Sequence, residues 1–295
     1  MTRNPTHAHP YDERRSILAD RLDRLWAAYD MSFLDPDPLV VVRRYSDPRD
    51  REIAGLFAAA LAFGGVRTIM RDAEDLFRRM GAAADGGLRQ AIVTFDPAHD
   101  AARLAGWYHR FVRGEDVAAL AWAVRRAIEA HGSLGALFAE GFNPADRDIG
   151  PALAAFVRYL RGFDPAPVVP GPFYGYLLAS PEDGSACKRM NLYLRWMVRR
   201  EVPDLGLWRQ ISPSHLVMPV DTHVARICRS IGLTARRTAD WRMAREITDA
   251  LAAIDPADPV KYDYAISRLG ILERCPRRRD PMRCADCLIG DLCIL

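Results

Sequence analysis

The last 21 residues carry four cysteines, Cys275, Cys284, Cys287 and Cys293, in the pattern C-x8-C-x2-C-x5-C. Four thiolates at that spacing turn the chain end round one soft centre, either a [4Fe-4S] cluster or a tetrahedral zinc. The first fifteen residues are rich in His, Pro and charge and hold no apolar run of the kind that a secretory signal or membrane span requires. The expected home is therefore the cytoplasm, with no membrane partner. Thiols stay reduced there, so the four-cysteine group reads as metal-binding rather than disulfide-bonded. The other two cysteines, Cys187 and Cys228, lie inside apolar helical patterns and are expected in the core.

Upstream of the cysteines, apolar residues recur at helical spacing, as in Ile17, Leu18, Leu22, Leu25 and Trp26 or Ile53, Leu56, Phe57, Ala60 and Leu61. Alternating β-branched runs are nearly absent, so the expected class is all-α. Breaks fall at residues 35–37, 96–97, 142–144, 163–172, 180–185, 212–214 and 255–259. The proline-rich 163–172 is too short for a flexible tether and reads as a stiff connection. With 49% hydrophobic residues in 295 positions, the chain can bury one large core or two small ones.

Charge is unevenly spread. The net charge is only +3, yet residues 187–242 hold eleven Lys and Arg against four acids. Such a stretch either tracks phosphates or forms a solvated helix face. Its start, Ser180-Pro181-Glu182-Asp183-Gly184-Ser185-Ala186-Cys187-Lys188, is a turn feeding a helix, and the amides of a helix start suit an anion. On that helix Lys188, Asn191, Arg195 and Arg199 form one polar stripe at i, i+3, i+7 and i+11, with Leu192 and Trp196 close enough to shield part of it. A partly desolvated lysine next to Arg189 has a lowered pKa, which leaves an amine able to attack carbon and form a Schiff base, although an ordinary surface lysine would look the same from this segment. Further on, Pro219-Val220-Asp221-Thr222-His223-Val224 places Asp221 as a helix N-cap, and such a carboxylate can still face a cleft and stabilise developing positive charge. His223 reads as a hydrogen-bonded packing residue in preference to a ligand.

The string V-D-T-H-V-x-R, the turn-then-lysine helix and the terminal C-x2-C-x5-C resemble the helix-hairpin-helix DNA glycosylases of the endonuclease III superfamily. Within it the chain looks closest to a bacterial family catalogued as domain of unknown function 2400, through C-K-R-M-N-L-Y-L-R-W-M-V-R, D-L-G-L-W and D-P-V-K-Y-D-Y. The superfamily resemblance implies Lys188 as the residue that displaces the base, Asp221 as its assistant, and Cys275, Cys284, Cys287 and Cys293 as ligands of a [4Fe-4S] cluster. It further implies a two-lobed fold, in which residues 51–210 form a helical barrel and residues 1–50 pack with 211–295 into the cluster lobe. Three departures stand out. The hairpin has a single glycine, Gly184. Lys188 and Asp221 are spaced as in an archaeal 8-oxoguanine glycosylase branch. The loop Leu61-Ala62-Phe63-Gly64-Gly65-Val66-Arg67 lacks the Gln or Asn wedge, leaving Phe63 or Arg67 to fill the gap.

The resulting expectation is a monomeric base-excision glycosylase with lyase activity that acts on damaged duplex DNA, with an oxidised purine such as 8-oxoguanine as substrate. Gly184, Ser185, Arg189, Arg195 and Arg199 would hold the nucleic acid. Phe63, Trp196 and Trp208 would stack on a flipped base. The alternative is a catalytically silent glycosylase-fold module that binds DNA or RNA around a structural metal centre.

Overall fold

The computed structural model describes residues 10–82, 87–162, 167–272, 275–276 and 278–294. Residues 1–9, part of the stretch read above for signals, and residues 163–166 of the proline-rich segment lie outside the described residues. The helices run α1 (Pro10–Ala28), α2 (Leu39–Arg43), α3 (Pro48–Ala60), α4 (Val66–Arg79), α5 (Leu88–Val93) and α6 (Pro97–Leu104). A small antiparallel hairpin follows, β1 (Tyr108–His109) pairing β2 (Val112–Arg113). The chain continues with α7 (Gly114–His131), α8 (Leu134–Glu140), α9 (Gly150–Arg161), α10 (Tyr174–Leu177), α11 (Lys188–Val198), α12 (Thr222–Ser230), α13 (Trp241–Ala252) and α14 (Asp263–Ile271). The protein is all-α apart from that hairpin. Among the described residues no helix is long and apolar enough to cross a membrane.

Several helix starts are written locally. Asp47 and Asp96 each accept a backbone N–H from the second residue of α3 and α6, with proline in the first turn where its missing N–H costs nothing. Asp240 caps α13 through Met243 N, and Asp221 caps α12 through His223 N and Val224 N.

Packing sorts the helices into two sets. In the first, α3 lies against α2, α4, α5, α8 and α11, while α7 gathers α5, α6, α8, α9 and α10. In the second, α14 lies against α1 and α12. In the first set α2 also packs on α4. The buried apolar core is continuous through both sets. Two glycines allow the closest crossings: a methyl at Gly55 of α3 would stand 2.8 Å from Met197 of α11, and one at Gly270 of α14 would stand 2.9 Å from His223 of α12. The first crossing packs the end of α11 on α3, and the second sets the end of α14 against the start of α12.

Candidate active site and cysteine loop

A cleft of about 730 Å³ opens where the two sets meet. One wall comes from Ala62, Phe63, Tyr176, Lys188, Arg189 and Leu192. The other comes from Asp221, His223, Asp263, Ser267 and Arg268, with Asp37 between them. Lys188 and Asp221, 33 positions apart in sequence, therefore face the same space. Lys188 is half-buried, and its Nζ donates to Ala62 O at 3.1 Å. Burial holds its ammonium below the usual lysine range, against the opposing pull of Asp221, Asp263 and Asp37. Asp221 Oδ1 accepts both His223 N and Val224 N at 2.8 Å, which fixes that carboxylate as a helix cap.

Phe63 stands in the cleft wall within an aromatic group. Its ring stacks on Phe111 at 5.3 Å and meets Tyr176 edge-on at 5.2 Å, and Phe111 in turn meets Phe173 at 4.8 Å. His109, buried on β1, bridges the Asp72 carboxylate at 2.7 Å and the Phe63 carbonyl at 2.9 Å, so the hairpin pins this wall. Arg189 packs its guanidinium over Tyr176 at 4.1 Å and donates to Ala60 O at 2.8 Å and to Tyr176 O. It shapes the wall instead of reaching out to phosphates. Arg67, the other wedge candidate, is exposed on the first turn of α4.

Three of the expected site residues are elsewhere, and Arg195 borders the cleft with its guanidinium already engaged. Arg195 is buried, with Nε donating to Asp204 Oδ1 at 3.1 Å and Nη1 to Asp263 Oδ2. Arg199 is buried too, donating to Asp204 Oδ2 at 2.6 Å and to Asp258 Oδ2 at 2.8 Å. Both guanidiniums are consumed by carboxylates, so neither is presented to a nucleic-acid backbone. Trp196 is fully buried beneath α11 and does not border the cleft. Trp208 is buried on the far side of the helix, where its Nε1 donates to Glu52 Oε1 at 2.7 Å. The two Glu52 oxygens also accept Gly135 N at 2.7 Å and Leu134 N at 3.1 Å from the start of α8, and a methyl at Gly135 would stand 2.6 Å from the indole nitrogen. Trp208 is a core anchor, not a base platform.

Gly184 and Ser185 form the turn before α11, with Gly184 in the left-handed conformation. They pair with the segment entering α13, through a bridge between Ser185 and Asp240 and a bond from Trp241 N to Gly184 O at 3.4 Å. Exposed Arg237 and Arg242 flank that contact in sequence. Cys187 and Cys228 are buried, as their apolar setting predicts, and burial pushes the Cys187 thiol up to about 12.

All four terminal cysteines border a second cavity, of about 470 Å³, walled by Leu25, Tyr29, Phe33, Ile227, Leu269 and Ile289. Burial is the main cause that raises the thiols of Cys275 and Cys287, and nearby cysteines of the set add to the rise. Arg226 Nη2 donates to Cys275 O at 2.6 Å, tying the loop to α12. Among the described residues no three His, Cys, Asp or Glu side chains meet closely enough to hold a single ion.

The family described as Protein of unknown function (DUF2400) matches residues 37–272. The chain belongs to that family. The matched span holds the whole cleft wall, from Asp37 to Ile271, and stops just before the cysteine loop. Comparison with curated proteins and with solved structures finds no match.

Sequence reasoning missed Asp263, Asp37, Arg268 and the aromatics Phe111, Phe173 and Tyr176. For Asp263 a signal existed: the D-P-V-K-Y-D-Y string drew attention to Lys261, whose Nζ bonds Asp23 Oδ1 at 2.9 Å on the α1 side, whereas the residue that reaches the cleft is the aspartate two positions later. Phe173 and Tyr176 belong to one segment and Phe111 to another, and no spacing links the two.

Proposed function

We propose that this protein is a DNA base-excision glycosylase with lyase activity, built as a two-lobed helix-hairpin-helix-like fold and acting on an oxidised purine such as 8-oxoguanine in damaged duplex DNA. The observation that carries the reading is the convergence of Lys188 and Asp221 on one cleft, with burial lowering the lysine. A flipped nucleotide entering the cleft meets the Phe63 and Tyr176 faces, on which a base can stack. Lys188 attacks the sugar C1′, the base departs, and the resulting Schiff base leads to strand cleavage. Asp221, positioned as a cap by two backbone amides, stabilises the positive charge that develops on the sugar.

The four cysteines fit a [4Fe-4S] cluster, which would hold the chain end on α1, α12 and α14. They line one cavity, and the C-x2-C-x5-C ending favours a cluster because zinc sites more often use two separated C-x2-C knuckles. Protein purified without oxygen is expected to be brown and to lose stability on iron chelation; a colourless protein with one equivalent of zinc overturns the assignment.

Borohydride trapping on a panel of damaged duplexes tests the enzyme. Lys188→Gln abolishes the trapped complex and preserves DNA binding, because only the attacking amine is lost. Trapping that survives in Lys188→Gln refutes the nucleophile. The second reading, a silent DNA- or RNA-binding module, draws on the single-glycine turn at Gly184 and on the 61–67 loop without a Gln or Asn wedge, and binding without trapping on any lesion would favour it.

A further inference from the structure

The cleft holds a second carboxylate for which the base-excision reading has no use. Asp263 is 2% exposed in the first turn of α14, and its Oδ2 accepts from Arg195 Nη1. Its Oδ1 has no hydrogen-bond partner among the described residues, although the residue borders the same cleft as Lys188 and Asp221. A buried carboxylate oxygen with nothing to bond is costly. The residue cannot swing away to relieve it, because Arg195 is itself held by Asp204, which takes Arg199, which takes Asp258. Such an oxygen is relieved by a proton.

Asp221 and Asp263 differ in what they are free to do. Asp221 spends one oxygen on two backbone N–H groups that cap the start of α12. Asp263 has one oxygen engaged and one open. We propose that Asp263 is the proton acceptor for the Lys188 amine in this cleft. The proposal rests on the base-excision reading for its substrate, a deoxynucleotide in DNA.

The step balances as follows in atoms and charge. The Lys188 Nζ lone pair bonds C1′, and the C1′–N bond to the base breaks with its electron pair leaving on the base. The attached nitrogen, now positive with two hydrogens, gives one proton to Asp263 Oδ1. The freed lone pair then expels O4′ to form the iminium that borohydride reduces, and O4′ takes the proton back from Asp263. The carboxylate is regenerated. Electrostatics suit the exchange: burial pushes the Asp263 carboxyl up to about 6, aided by Asp221 and opposed by Arg195, while burial lowers Lys188. The two groups are thereby brought nearer in proton affinity.

Groups facing the pair are Asp221 and His223 from α12, Arg268 from α14, Asp37 from the segment before α2, and Arg189 and Arg195 from α11. The chain has only two lysines, Lys188 and Lys261, so reductive methylation with ¹³C-formaldehyde gives a simple NMR titration of the whole protein. The Lys188 signal is expected to show a step near pH 6 as Asp263 ionises, in addition to its own midpoint. Asp263→Asn removes that step and lowers the Lys188 midpoint, and His223→Gln keeps the step. A wild-type signal with no step between about pH 5 and 7 overturns the proposal, as does a step that survives Asp263→Asn or vanishes in His223→Gln. If Asp263→Asn fails to fold, the wild-type and His223→Gln arms still decide. Trapping is the separate readout: a step with no trapping on any duplex defeats the glycosylase reading alone, and trapping without a step defeats this proposal alone.

Discussion

The two ends of α11 started as one polar stripe and finish in opposite environments. At the N-terminal end Lys188 faces a cleft with carboxylates on the opposite wall and is bonded only to a carbonyl, Ala62 O. At the C-terminal end Arg195 and Arg199 are enclosed and saturated by Asp204, Asp258 and Asp263. The helix is the same and the residue chemistry similar; what differs is the covering. Residues after Arg200 fold back along the helix, with Leu205 N bonding Trp196 O at 2.9 Å and Trp208 N bonding Met197 O at 2.8 Å, and they carry Asp204 onto the arginines. The segment between Lys188 and Asp221 therefore closes one half of the stripe and leaves the other half open.

The most forceful way to break this contrast is Arg195→Ala. It strands the buried Asp263 and leaves Asp204 with Arg199 alone, and breaking one partner of a buried ion pair costs about 3–5 kcal/mol. Chemical denaturation of the variant should show a loss of that size, with trapping lost alongside it because Asp263 is released. Lys188→Gln should change stability by less than about 1 kcal/mol, since that end of the helix bears no saturated pair. An Arg195→Ala protein of unaltered stability whose DNA binding alone weakens would restore the arginine to the surface.

A smaller effect separates core aromatics from cleft aromatics. Trp208→Phe removes one of the donors to Glu52, whose carboxyl burial already pushes above the usual range. The expected loss is about 1–3 kcal/mol, the cost of an unmet buried acceptor, with trapping per folded molecule unchanged. Phe63→Ala should do the reverse, lowering trapping more than stability. If Trp208→Phe selectively weakens the binding of damaged DNA, the indole belongs to the base site after all.

The all-helical class, the buried Cys187 and Cys228 and the cap at Asp221 were legible because each depends on residues within a turn or two of itself. The polar stripe was equally legible as a face. What covers a face depends on distant residues: Glu52 reaches Trp208 across 156 positions, and Asp263 reaches Arg195 across 68. A tryptophan or arginine reads as exposed chemistry until its partner is known, and here every misplaced residue had a carboxylate or a packed helix waiting for it. The placement of Lys188 beside Asp221 in the cleft came from a resemblance, not from spacing, and the aromatic wall was not visible at all.

The weakest effect gives the sharpest test of where phosphates are held. With Arg189, Arg195 and Arg199 enclosed, the basic stretch still exposes Arg200, Arg209, Arg237 and Arg242. Arg237 and Arg242 bracket the segment that pairs with Gly184 and Ser185, directly before the first amides of α11. Replacing each with Ala should alter stability by no more than about 0.5 kcal/mol, as exposed positions do. Each should nevertheless reduce the slope of log affinity against log salt by about one unit if it neutralises a phosphate, and by the same amount on every duplex sequence. Arg200→Ala serves as the comparison, because its guanidinium is turned back to Arg209 O at 3.3 Å. A flat response at Arg237 and Arg242 would mean that the turn before Lys188 grips no backbone, and that the cleft receives its ligand by stacking and charge within its own walls.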